Sequence, residues 1–179
     1  LSAGRAWWLL RHFGVDTVRV LDGGLAAWLE AGGPVATAAT DEPKRPLGSI
    51  RLTADRDDVV SIAEAAELAR DGRLWDVRAA ERFRGEVEPI DPVAGHIPGA
   101  RNAPATDLLR PDGTFKSASA LGEHARALGI EPGDATSCGS GVTAAQAALA
   151  WAIAGIPVKV FVGSWSQWCA EGREVARGD

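Results

Sequence analysis

One thiol and two glycines stand close together in the run Cys138-Gly139-Ser140-Gly141-Val142-Thr143. The run follows residues 135–137, which resemble the end of a strand, and precedes the Ala- and Leu-rich residues 144–153, whose composition predicts a helix. Glycine lets such a loop curl until successive backbone N–H groups point inward, and the helix adds unpaired N–H groups and the positive end of its dipole. A cysteine beside these donors would be stabilised as the nucleophilic thiolate. The run therefore indicates a reactive cysteine, and by itself it leaves open a buried structural cysteine that packs as a small apolar residue.

The composition excludes several classes of protein. The chain has 179 residues, of which 46% are hydrophobic and 24% are charged, as in an ordinary globular protein. Its net charge of -5 argues against binding to nucleic acid or to an anionic membrane surface. No apolar run approaches the roughly 18 residues of a membrane span, no signal-peptide pattern opens the chain, and two cysteines do not form a disulfide framework. We therefore expect a cytoplasmic protein with no nucleic-acid partner and no membrane partner.

One order of elements, namely helix, glycine, strand, glycine turn and helix, occurs twice in the sequence. Gly14 in the first copy corresponds to Gly155 in the second, and Trp28 corresponds to Trp168, about 140 positions apart in both cases. This distance is too long for a solenoid repeat and indicates a duplicated domain. Within the first copy, residues 17–21 are predicted to be its strand.

The repeat predicts the following division of the chain. Residues 1–34 would be the C-terminal remnant of a first domain, residues 35–49 a Pro-rich linker, and residues 50–179 a complete second domain. The sequence contains no methionine, even at position 1, and we expect it to be a fragment of a longer chain. A strand with two helices buries too little apolar surface to be stable alone. The remnant is therefore expected to pack against the second domain, or to be covered by the rest of the first domain or by a partner chain.

The second domain alternates predicted strands and helices, which predicts an α/β fold with a parallel sheet covered by helices on both faces. Ser61 and Glu64 form a capping box that predicts the start of a helix. Cys138 and Arg78 each follow a predicted strand. Because ligands of open α/β sheets bind beyond the carboxyl ends of the strands, both residues are predicted to lie at the functional edge.

Four motifs in this order resemble those of the tandem-domain rhodanese sulfurtransferases. They are Asp76-Val77-Arg78, Gly95-His96-Ile97-Pro98-Gly99-Ala100, the cysteine run 138–143 and Gly163-Ser164-Trp165-Ser166-Gln167-Trp168. The resemblance implies a three-layer α/β/α fold with a parallel sheet of about five strands, preceded by a truncated first domain. It also implies a sulfurtransferase that moves a sulfane sulfur from thiosulfate or 3-mercaptopyruvate to cyanide or a thiol, through a persulfide on Cys138 and without a cofactor or metal.

The resemblance also assigns roles to individual residues. Cys138 would be the catalytic nucleophile, and Arg82 would bind the anionic end of the sulfur donor, with a solvated surface arginine as the alternative. Asp76, Arg78 and His96 would support the site structurally, although a catalytic Asp–Arg pair and a general-base histidine are the alternatives. Substrate-binding N–H groups would come from Gly139, Ser140, Gly141, Val142 and Thr143.

The choice of donor rests on two features. The uncharged residues Gly139 and Ser140 are typical of 3-mercaptopyruvate enzymes, in which Ser140 would help to polarise the donor carbonyl. Many of these enzymes carry a second arginine where this chain has Asp91. The sequence therefore favours 3-mercaptopyruvate slightly over thiosulfate. Cys169 is interpreted as a packing substitution, with a redox partner for Cys138 as the alternative.

Other activities fit the cysteine run less well. A cysteine phosphatase needs an arginine six residues after the cysteine, where this chain has Ala144. A nucleotide-binding P-loop would end in Gly-Lys-Ser/Thr, and a serine nucleophile elbow would read Gly-x-Ser-x-Gly; neither pattern is present. A binding module that keeps the rhodanese fold without turnover, or an inactive fragment, remains the second hypothesis.

Overall fold

A four-stranded parallel sheet lies at the centre of the fold. The computed structural model describes residues 1–37, 48–53 and 56–179. The strands are β1 (Leu74–Asp76), β2 (Arg101–Asn102), β3 (Ala135–Ser137) and β4 (Lys159–Val160), in the order β2-β1-β3-β4. The predicted parallel sheet is confirmed. About five strands were expected, and a fifth position is present only as a single bridge between Val59 and Val160 at the β4 edge.

Helices cover both faces of this sheet. They are α1 (Ser2–His12), α2 (Gly24–Glu30), α3 (Ile62–Arg70), α4 (Ala80–Phe83), α5 (Ala118–Leu128), α6 (Val142–Ile153) and α7 (Ser164–Ala170), with a 3-10 helix at Ala105–Leu108. The predicted capping box is present at the start of α3, where Ser61 and Glu64 exchange side-chain and backbone hydrogen bonds. No helix within the described ranges is both long enough and apolar enough to cross a bilayer.

Two apolar clusters on opposite faces of the sheet make up the core. Alternate residues of a strand point to opposite faces, so Trp75 belongs to one cluster and Leu74 to the other. The first cluster joins the sheet to α1, α5 and α6, whereas the second joins it to α3, α4 and α7. The three-layer arrangement places the carboxyl ends of β1 and β3 side by side, which is where the candidate site lies.

The N-terminal segment packs against α6. Trp8 of α1 is buried in the first cluster, and a Cβ at Gly4 would lie only 3.0 Å from the Cα of Gln146, so the two helices cross closely at a glycine. The prediction of a strand at residues 17–21 is wrong, since this stretch is a turn followed by irregular chain. A strand requires a hydrogen-bonding partner, and the described sheet ends at β4 and β2 without pairing to this stretch. The interpretation of residues 1–34 as a partial second copy stays a prediction, and residues 38–47 of the predicted linker lie outside the described part.

Candidate active site

The sulfur of Cys138 lies in the loop that joins β3 to α6. Its Sγ accepts a hydrogen bond from the N–H of Gly141 at 3.1 Å, and the residue is only 3% exposed. Gly141 has a φ of 78° and is the N-cap of α6, so its left-handed backbone turns this N–H toward the sulfur. In the part of the chain that the structure describes, this is the only backbone donor on the sulfur. The other N–H groups of the predicted ring stay candidates for binding a second sulfur atom beyond it.

Ser164 fixes the backbone of Cys138 by a hydrogen bond, a role that the sequence did not indicate. Its Oγ accepts a hydrogen bond from the N–H of Cys138 at 3.0 Å, donates to the carbonyl of Phe161 at 2.8 Å, and lies 4.0 Å from Sγ. Ser164 is fully buried and has a φ of 50°, which is a strained conformation for a residue with a side chain. The N–H of Trp165 adds a bond to the carbonyl of Cys138 at 3.0 Å. The start of α7 therefore fixes the backbone of the nucleophile.

Arg5 of α1 reaches the same loop from the other side. Its Nη1 donates to the carbonyl of Gly141 at 3.1 Å, across 136 positions of sequence. Gly141 is thereby held at both ends, with its N–H on the sulfur and its carbonyl on the guanidinium. The N-terminal segment thus contributes directly to the site.

A cavity of about 480 Å³ opens over Cys138. Its polar wall includes Thr106, Thr143 and Gln146, and its charged wall is formed by Arg78 and Arg82. The side chain of Arg82 lies beside the cysteine loop, as shown by the distance of 3.7 Å between its Nη2 and a Cβ built on Gly139. The structure thus brings Arg82 and the cysteine together, as the resemblance implied.

Arg82 is nevertheless already paired with acids. Its Nη2 lies 2.6 Å from Oε1 of Glu88 and 3.8 Å from Oδ2 of Asp91, and its side chain is 18% exposed. The alternative of a solvated surface arginine is therefore not supported. An anion that binds Arg82 must share it with these carboxylates.

Glu88, which sequence analysis missed, joins both arginines. It contacts Nη1 of Arg78 at 3.3 Å and accepts the N–H groups of Ile90 and Asp91. Burial by itself would raise the pKa of Glu88, but the hydrogen bonds from Arg82 and from these N–H groups overcome it, so the pKa lies below its usual value. The buried Arg78 and the partly buried Arg82 required an acid nearby, yet the sequence did not indicate which acid of the loop supplies it.

The lowered pKa of Glu88 predicts acid sensitivity. A carboxylate with a depressed folded-state pKa stabilises the fold fully above the ordinary value of about 4.3, and this contribution disappears as pH falls through the lower folded value. We expect the loss of unfolding free energy between about pH 5 and pH 3 to be smaller in Glu88→Gln than in the wild type. Urea unfolding at each pH measures it. Glu123→Gln, at an exposed position of α5, is the control, and equal pH slopes for the wild type and Glu88→Gln would contradict the prediction.

Asp76 and Arg78 form a buried structural pair. Arg78 donates to Oδ2 of Asp76 at 2.6 Å and to the carbonyl of Gly95 at 2.7 Å, and its guanidinium lies 4.9 Å from the centre of the Trp165 ring. Asn102 closes the group with bonds to the carbonyls of Asp76 and Arg78. The polar side-chain atoms of the pair form hydrogen bonds or ion pairs within the protein, which supports the structural role over the catalytic alternative.

His96 lies in a similar structural position. Its Nδ1 is 2.8 Å from the carbonyl of Phe83, its ring stacks on Phe83 at 3.7 Å, and its backbone pairs with Ala176. It is 5% exposed and does not line the cavity over Cys138. These contacts support a structural histidine over a general base.

The remaining residues that were predicted to belong to the site differ in whether they line the cavity. Thr143 lines the cavity, but Ser140 is exposed and lies outside its wall, and Val142 begins α6. The thiol of Cys169 lies 3.9 Å from the carbonyl of Val93. Burial raises the pKa of Cys169, as does the nearby charge of Asp91, which disfavours its thiolate and supports the packing interpretation.

Comparison with known proteins identifies the fold. The family model described as "Rhodanese-like domain" matches residues 61–171. The chain belongs to the rhodanese-like family. A rhodanese relative in Pseudomonas aeruginosa, named a probable 3-mercaptopyruvate sulfurtransferase, is 46% identical over 99% of this chain and 64% of its own length. SseB of Mycobacterium tuberculosis, whose name proposes a thiosulfate sulfurtransferase, is 43% identical over 99% of this chain and 63% of its own.

The similarity to solved structures also includes the N-terminal segment. EanB, in a complex with ergothioneine linked covalently to a cysteine persulfide, superimposes with a TM-score of 0.86 at 25% identity. The match covers 99% of this rhodanese chain and 45% of EanB. The chain therefore spans less than two thirds of the length of each of these proteins.

Proposed function

We propose that this chain carries the catalytic site of a sulfurtransferase in which Cys138 is the nucleophile. The observation that carries the proposal is the position of its sulfur, which borders a cavity, receives the N–H of Gly141 and has Arg82 beside the same loop. The names of the P. aeruginosa and M. tuberculosis relatives support a sulfurtransferase, and the persulfide in EanB supports the type of intermediate.

The proposed reaction has two halves. The Cys138 thiolate attacks the outer sulfur of thiosulfate, an S–S bond forms as the donor S–S bond breaks, and sulfite leaves with the electron pair. With 3-mercaptopyruvate the C–S bond breaks instead, and the carbon takes the electron pair and the thiol proton to give pyruvate. Cyanide or a thiolate then attacks the outer sulfur of the persulfide, which regenerates the Cys138 thiolate. The N–H groups at the start of α6 would stabilise the negative charge on the outer sulfur.

The choice of donor is a further part of the proposal. An uncharged loop after Cys138 and the name of the P. aeruginosa relative support 3-mercaptopyruvate. The exposed position of Ser140 and the name of the M. tuberculosis relative favour thiosulfate. The lack of a second arginine at position 91 removes one argument for 3-mercaptopyruvate. We keep 3-mercaptopyruvate slightly ahead.

A binding module without turnover is the second candidate. It is favoured by the 3% exposure of Cys138 and by the carboxylates that already occupy Arg82. In this case the cavity would hold a ligand without taking up sulfur.

Mass spectrometry separates the two candidates. Incubation with thiosulfate or 3-mercaptopyruvate is expected to add about 32 Da, one sulfur atom, to the peptide that contains Cys138. Cys138→Ser should gain nothing, whereas Cys169→Ser should gain the same mass as the wild type. No gain with either donor, in a protein whose Cys138 still reacts with iodoacetamide, would contradict the sulfurtransferase and support the binding module.

A further inference from the structure

The two arginines that line the cavity are outnumbered by the carboxylates that contact them. Two guanidinium groups, Arg78 and Arg82, are surrounded by the three carboxylates of Asp76, Glu88 and Asp91. With all five ionised, the cluster is formally negative. This is unexpected in a cleft that is proposed to admit anionic sulfur donors.

Asp91 differs from the other two carboxylates. Its side chain is 8% exposed, and its Oδ2 is buried without a hydrogen-bond partner within the described residues. The nearest cationic atom is Nη2 of Arg82 at 3.8 Å, which is too long for a hydrogen bond. Asp76 and Glu88, in contrast, each accept several hydrogen bonds that hold the surrounding loops. Asp91 therefore acts on the site mainly through its charge.

We propose that Asp91 sets the charge selectivity of the cleft, by reducing the attraction of Arg82 for anions and thereby disfavouring dianionic sulfur donors relative to monoanionic ones. The interaction of two charges scales with their product, so a carboxylate repels thiosulfate about twice as strongly as it repels the monoanion of 3-mercaptopyruvate at the same distance. In its application to donors, the proposal rests on the proposed function. It makes Asp91 a positioning residue that determines specificity through Arg82.

The charge effect can be measured without sulfur transfer. Iodoacetate and iodoacetamide alkylate the same thiolate and release iodide, but only iodoacetate carries a negative charge. In a Cys169→Ser background, Asp91→Asn is expected to raise the ratio of the iodoacetate rate to the iodoacetamide rate at Cys138 by about fivefold. Asp91→Ala should shift the ratio in the same direction, which guards against a folding defect in one variant. The control is Glu86→Gln, an exposed carboxylate that pairs with Arg84.

The result has two decisive forms. A ratio that rises in both Asp91 variants and not in Glu86→Gln supports the proposal. An unchanged ratio overturns it, even where both rates rise equally, since an equal rise would mean that the cleft has opened and not that its charge has changed.

Donor kinetics then connect the charge effect to the reaction. Asp91→Asn is expected to raise kcat/KM for thiosulfate several-fold more than kcat/KM for 3-mercaptopyruvate. An equal change for both donors would overturn the role in donor choice. If neither donor transfers sulfur to the wild type, the proposed function fails, and the alkylation ratio still decides whether Asp91 controls the entry of anions.

Discussion

Replacement of Arg78 by alanine is expected to lower the free energy of unfolding by about 3–5 kcal/mol, because it removes one partner of a buried ion pair. The side chain of Arg78 is 2% exposed and is shared between Asp76, Glu88 and the carbonyl of Gly95. Its removal leaves the carboxylates of Asp76 and Glu88 with fewer hydrogen-bond donors, and both are too buried to be solvated by water instead. The loops that carry Glu88 and His96 should loosen together, so the rate of sulfur uptake should fall as well.

Urea unfolding measures this effect, and Arg84→Ala is its matched control. Arg84 also forms a bidentate pair, with Glu86, but both side chains reach solvent, so its removal should change stability far less than removal of Arg78. Arg78→Lys should restore only part of the loss, since an ammonium group cannot reproduce the forked contacts of the guanidinium. A loss in Arg78→Ala no larger than that in Arg84→Ala would refute the structural role assigned to this pair.

Local patterns account for the part of the fold that the sequence predicted well. The capping box at Ser61 and Glu64 depends on residues three apart, and the strand, glycine loop and helix around Cys138 form one contiguous segment. Such features are determined by neighbours in sequence, so they are visible without the structure. The parallel sheet follows in turn, because alternating strands and helices have few other ways to pack.

Long-range contacts account for what was missed. Arg5 binds Gly141 across 136 positions, and Ser164 binds Cys138 across 26, so neither role appears in a local pattern. The role of Glu88 depends on how a loop rich in Pro, Gly and acids folds back over two arginines. The incorrect strand at residues 17–21 has the same origin, since β-propensity alone does not supply a partner strand.

Three separated parts of the chain consequently determine the position of the reactive sulfur. The cysteine loop supplies the nucleophile, α7 fixes its backbone through Ser164, and α1 holds the carbonyl of Gly141 through Arg5. Of these parts, only the cysteine loop carries the reacting group. The other two determine whether the N–H of Gly141 points at the sulfur, and this makes Gly141 the position where a small change should have the largest effect on reactivity.

Gly141→Ala is therefore expected to slow sulfur uptake by Cys138 by about 10²-fold or more, the size of effect seen when one preorganised donor is lost from a charge-stabilising site. A Cβ at this position would clash with the carbonyl oxygen of Val162 and lie 3.0 Å from Nη1 of Arg5. Because the first of these is backbone, the loop itself must shift, and the N–H that bonds to Sγ shifts with it. The φ of 78° adds about 1–2 kcal/mol of strain for a residue with a side chain.

Gly155→Ala separates the two causes. Gly155 has the same φ of 78°, but a Cβ there would meet nothing within 4 Å, so this variant carries the backbone strain without the clash. It should lose a similar amount of stability from strain and keep the sulfur-uptake rate of the wild type, whereas Gly141→Ala should lose both. Single-turnover mass spectrometry gives the rates, and iodoacetamide labelling reports whether the thiolate remains reactive. If Gly141→Ala took up sulfur as fast as Gly155→Ala, the hydrogen bond from Gly141 would have no part in activating Cys138, and the catalytic interpretation of the loop would fail with it.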